Sequence, residues 1–165
     1  MRGIRSSLLL VVFAVLLSAC GLSRPAATPG PSERDPLAPL IETFSSEQTA
    51  EFIGQPFPAA ATRVHVAGEA ALDTMVIARF DLPTAELDAY LAALGLTEPL
   101  EPGHSPFFSA NPPYPEAREW WSPPVDGDSG DFSGLYQQVG DKHYKIVVVS
   151  PAPEQMTVYL QVYNT

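Results

Sequence analysis

Residues 134–163 read GLYQQVGDKHYKIVVVSPAPEQMTVYLQVY, three runs rich in β-branched and aromatic side chains, separated by Gly140-Asp141 and by Pro151-Ala152-Pro153-Glu154. Branched and aromatic side chains pack well on a pleated surface, and the separators are turn formers. The spacing predicts an antiparallel meander with strands over 134–139, 144–150 and 156–163. In the last run Met156, Val158, Leu160 and Val162 face one way, and Thr157, Tyr159, Gln161 and Tyr163 the other. That is the alternation of a strand whose faces meet different surroundings.

Upstream, residues 63–67 alternate around Val64 and Val66, and residues 74–82 place Thr74, Val76, Ala78, Phe80 and Leu82 on one side. A hairpin turning within 68–73 is expected. The opposite side of the second strand carries Met75, Ile77, Arg79 and Asp81, so one face is buried and the other partly covered. Pro83 stops that strand, and Thr84 stands where an N-cap belongs, ahead of a helix over 85–94. Leu87, Tyr90, Leu91 and Leu94 fall on one helical face, and Gly95 follows as a left-handed C-terminal cap. Leu37, Leu40, Ile41 and Phe44 give a weaker helical signal over 37–53, with Pro39 fitting only a first turn and Ser45-Ser46 poised to split it.

Between Pro99 and Pro124 lie eight prolines together with Phe107, Phe108, Tyr114, Trp120 and Trp121. Proline cannot donate to a sheet ladder, so this is a long surface connection with a helical turn near 116–121. The whole predicts an α+β fold: an antiparallel sheet of about five strands, with one or two helices on one face and a long Pro/aromatic-rich loop. Two readings of the loop aromatics stay open. They plug the core or cover a sheet edge, or Tyr114, Trp120 and Trp121 form a binding surface for glycan or peptide.

The opposite end of the chain reads MRGIRSSLLLVVFAVLLSAC: a basic tip with Arg2 and Arg5, an apolar run over 8–17, then small residues before Cys20. This is the pattern of a secretory signal peptide. The run is ten residues long, whereas a spanning helix needs about 20. Leu17-Ser18-Ala19-Cys20 resembles the lipobox of bacterial lipoproteins, a branched aliphatic, two small residues and an obligatory cysteine. The resemblance implies diacylglycerol on the Cys20 sulfur, cleavage just before it, and a protein anchored in a bacterial cell membrane, facing the periplasm or the exterior. Two or three acyl chains hold nearly permanently, since each buried methylene adds about 0.8 kcal/mol. The expected organisation is a signal peptide over 1–19, a disordered tether over 20–36 and a single domain over 37–165. Four prolines and two glycines in residues 21–36 suit the tether. Past Cys20 no further family resemblance is found.

Cys20 is the only cysteine, so the domain contains no intrachain disulfide. Without Arg2 and Arg5, 7 basic residues face 19 acidic ones, a net charge of −12 with neutral histidines. Such a surface repels nucleic acid and anionic head groups, leaving the lipid anchor as the link to the membrane.

Two strings invite chemical readings. Gly127-Asp128-Ser129-Gly130 is similar to the nucleophile context of trypsin-like serine proteases, but Asp131 stands where a further glycine belongs and His65 lies in a Val-His-Val strand. Asp126 to Asp131 is also similar to an EF-hand calcium loop, yet Gly130, Asp131 and Gln137 occupy the fifth, sixth and twelfth positions. Two readings of residues 126–131 remain, a solvated acidic turn leading into the meander and an irregular calcium site. His65, His104 and His143 lack zinc-ligand spacing, and no glycine-rich phosphate loop follows a strand. No catalytic residue, metal or cofactor is therefore assigned. The expected function is a non-catalytic binding module of the cell envelope, with an envelope protein, a glycan or a small ligand as partner. The alternative is an envelope hydrolase with a site not visible in sequence.

Overall fold

The computed structural model describes residues 44–70 and 73–164. The leader, Cys20, the tether and residues 37–43 of the expected first helix lie outside the described residues.

The elements run α1 (Ser46–Ile53), β1 (Thr62–Ala70), β2 (Thr74–Pro83), a 3-10 turn (Thr84–Glu86), α2 (Leu87–Ala93), β3 (Glu101–Pro102), a second 3-10 turn (Pro115–Ala117), β4 (Phe132–Val139), β5 (Lys142–Ala152) and β6 (Gln155–Asn164). They form one antiparallel sheet in the order β1-β2-β6-β5-β4-β3. The α+β class and the meander are as predicted. The count is six rather than about five because Glu101 and Pro102 add a two-residue edge strand to β4. A proline is tolerated at such an edge, where its missing N–H breaks no internal ladder.

The alternation seen in sequence sorts the strands into two cores. Val76, Ala78, Phe80 and Leu82 of β2, with Val158, Leu160 and Val162 of β6, face both helices. Leu87, Tyr90, Leu91 and Leu94 close that core. Burying four such side chains contributes roughly 6 to 12 kcal/mol, more than a helix of this length gains alone. Ile77, Val147 and Tyr159 point the opposite way into a second core, roofed by Phe107, Tyr114, Ala117 and Trp121 from the proline-rich segment. That segment is thus the sheet's second covering layer, with the predicted helical turn formed where Trp121 N donates to the Ala117 carbonyl at 2.8 Å.

Two helix starts differ in detail from expectation. Ser45 opens α1 as a capping box, accepting from Gln48 N at 3.2 Å while its own N–H donates to Gln48 Oε1 at 2.8 Å. Thr84 does not cap α2. Pairing with β6 carries β2 on to Pro83, and the Thr84 hydroxyl donates instead to the Pro153 carbonyl at 3.2 Å. Gly95 takes the expected left-handed conformation at φ 77°.

One charge is buried in the sheet. Asp81 is fully enclosed, accepts from the Thr157 hydroxyl at 2.7 Å, and pairs with Arg63 Nε and with Arg79 at 3.6 Å. Arg63 sits at a break in the β1–β2 register with φ 50°, a left-handed conformation that a bulky residue avoids. The carboxylate holds this bulge, and the bulge brings the guanidinium over it. Asp81→Ala is expected to lower stability by about 2 to 4 kcal/mol in chemical denaturation, because it strands two cations and a hydroxyl at once.

Tyr90 poses the reverse case. Its hydroxyl is buried with no hydrogen-bond partner among the described residues, and burial, then the neighbouring Tyr144, pushes its pKa well above the ordinary phenol range. Tyr90→Phe deletes an unmet polar group and keeps the ring that packs edge-on against Phe80. The expected result is a gain of about 1 kcal/mol in the same assay, and a loss of that size would show the hydroxyl to be satisfied.

Candidate functional site

The site begins with a missing side chain. Gly134 in β4 lets the chain pass directly over the sheet: a Cβ there would stand 2.6 Å from the His104 carbonyl oxygen and 2.9 Å from Pro106 Cδ. The crossing segment is tied down on its far side. Ser105 N donates to Asp126 Oδ1 at 2.6 Å, and the Ser105 hydroxyl donates to the Pro124 carbonyl at 2.7 Å. Phe107 then drops into the second core, edge-on to Trp121, while Phe108 is left 98% exposed.

Beside this strap, the outward positions of the meander stay uncovered. Counting from the two-residue turn at Gly140-Asp141 pairs Tyr136 with Lys145 across β4 and β5, and β6 places Tyr163 opposite His143. His143 is sandwiched, its ring 4.8 Å from Tyr163 and 6.0 Å from Tyr136, nearly parallel to both. The Tyr136 hydroxyl and His143 Nδ1 share a hydrogen bond at 2.7 Å. Between strap and sheet lies a groove of about 570 Å³, walled by Phe107, Phe108, Tyr136 and Tyr163 with Lys145 at its base. The Lys145 ammonium lies 5.2 Å from the Phe108 ring centre and 5.7 Å from that of Tyr163. Burial holds its pKa below the usual lysine range. Burial, then Tyr136, raises that of the Tyr163 phenol.

The residues singled out from sequence lie elsewhere. Tyr114 and Trp121 are 6% and 3% exposed. The Tyr114 hydroxyl donates to the Met75 carbonyl at 2.8 Å, and Trp121 packs edge-on against Tyr159. Both plug the second core, so neither offers an open platform. Trp120 is half-buried and stacks on His65, ring centres 5.5 Å apart. The physical reason is that the sheet's second face has no helix, and these aromatics are what covers it.

The acidic turn is likewise internal in its work. Asp126 Oδ1 also faces His104 Nδ1 at 3.4 Å, and Asp128 Oδ2 accepts from Val125 N at 3.0 Å, so these carboxylates close the loop that anchors the strap. Ser129 is exposed in that turn, whereas His65 is engaged on β1. Sequence reasoning missed Tyr136, His143, Lys145 and Tyr163 as a group. The available signal was their shared parity around the Gly140-Asp141 turn, which puts all four on the face away from the helices.

With this geometry established, the chain was compared with known proteins: it matches no protein-family model, no curated protein and no solved structure.

Gly134→Ala is expected to destabilise the protein by about 1 to 3 kcal/mol, since the added methyl meets backbone rather than a side chain that can swing away. Amide chemical shifts of residues 104–108 should move with it. Unchanged shifts there would show that the strap does not lie on β4.

Proposed function

We propose that the chain is an exported bacterial lipoprotein, held to a membrane by lipid on Cys20, whose domain serves as a non-catalytic binding module of the cell envelope. The leader followed by Leu17-Ser18-Ala19-Cys20 supports the anchor. The proline-rich stretch after it supports a spacer that keeps the domain clear of the bilayer.

One observation carries the binding half. The two large apolar side chains most exposed among the described residues, Phe108 at 98% and Tyr136 at 48%, wall the same groove. Scattered exposed aromatics are ordinary, but two converging on one concavity mark a contact surface. The groove's volume is that of a small-molecule site, within the usual range of about 300 to 1,000 Å³. A mostly apolar wall with a few polar groups, the Lys145 ammonium and the tyrosine hydroxyls, suits the orienting of a bound ligand.

Cys20→Ser tests the anchor. The native protein is expected in the membrane fraction with an acylated Cys20 by mass spectrometry, and the variant without acylation there, soluble where its leader is cut elsewhere and membrane-held only where the leader stays uncleaved. An unmodified Cys20 in native protein would end the lipoprotein reading.

A further inference from the structure

We propose that the groove binds a small aromatic monocarboxylate, its ring against the walls formed by Phe108, Tyr136 and Tyr163 and its anionic group on the Lys145 ammonium; this rests on the binding reading of the groove given above.

Charge complementarity carries the assignment. Among the described residues, three ion pairs form, and Lys145 is in none of them. Its ammonium is instead placed over two rings, which replace part of the lost hydration but accept no strong hydrogen bond. An ammonium carries three donors, and among the described residues no side-chain acceptor is bonded to this one. Asp126, the acidic residue lining the groove, forms no ion pair with Lys145; its Oδ1 accepts from the Ser105 amide at 2.6 Å and faces His104 Nδ1 at 3.4 Å. The negative charge in the wall serves the wall, and the positive charge is left for the ligand.

Other ligand classes fit less well. An aromatic cage for a quaternary ammonium would set that cation beside the Lys145 ammonium, which lies over the Phe108 and Tyr163 rings and would repel it. A neutral glycan would stack on the rings and leave the ammonium unpaired. A phosphate dianion calls for several donors or a second cation, whereas this groove is lined by one lysine and its His104 already faces Asp126. A single carboxylate on a flat apolar body matches one ammonium among aromatic walls.

The test uses the full lipidated protein in nanodiscs, with empty nanodiscs as the reference for partitioning, and equilibrium dialysis of two probes that differ in charge alone: naphthoate and naphthamide. Naphthoate is expected to bind about tenfold more tightly than naphthamide. Lys145→Met should bring the two within about twofold, chiefly by weakening naphthoate, and Lys145→Arg should keep the preference for the anion. Phe108→Ala, at a side chain in water, should weaken both probes without changing the melting temperature. Equal binding of the probes to the unaltered protein, or a preference that survives Lys145→Met, would overturn the carboxylate assignment; loss of both probes in Phe108→Ala would in that case leave the groove a binding site for uncharged ligands. If neither probe binds above empty nanodiscs, the carboxylate assignment and the groove's binding role both fall.

Discussion

The pairing of β2 with β6, unbroken from Met75↔Tyr163 to Pro83↔Gln155, is the constraint on which the remaining structure depends. It joins a hairpin made early in the chain to a meander made late, and so creates a sheet too wide for either part alone. Both faces of the two central strands are apolar, with Val76, Phe80 and Leu160 on one side and Ile77 and Tyr159 on the other. A sheet with two apolar faces needs two covering layers. Helices supply one. The other comes from a proline-rich segment with little regular structure, which covers by packing aromatic rings instead.

That division explains what was readable in the residues. Local alternation and turn chemistry are enough for the meander, the β1–β2 hairpin, the helix around Leu87 to Leu91 and the α+β class, because each depends on neighbours a few residues away. The sheet order is not local. Nothing near Asp81 says that Thr157 will lie beside it. The same limit accounts for Thr84, whose suitability as a cap was real but was outcompeted by a carbonyl from the β5–β6 turn.

The groove was half legible. Tyr136 and Lys145 become cross-strand partners by counting outward from Gly140-Asp141, and their parity puts them opposite the helical side. What could not be counted is the strap that makes a flat face concave. Its path depends on Gly134 as a bare patch on β4 and on Asp126 reaching back to Ser105, contacts that span 30 and 21 residues. The tryptophans stayed ambiguous for a related reason: an aromatic-rich loop looks the same in sequence whether its rings face the solvent or a sheet.

The position of β6 bears on how the molecule is made. The last of the described strands, β6, lies third in the sheet, bonded on both sides. Until it has been synthesised, the β1–β2 hairpin and the β4–β5 hairpin have no common neighbour, and neither core can close. Closure of both cores therefore waits on β6, and the two hairpins act as separate pieces until that strand joins them.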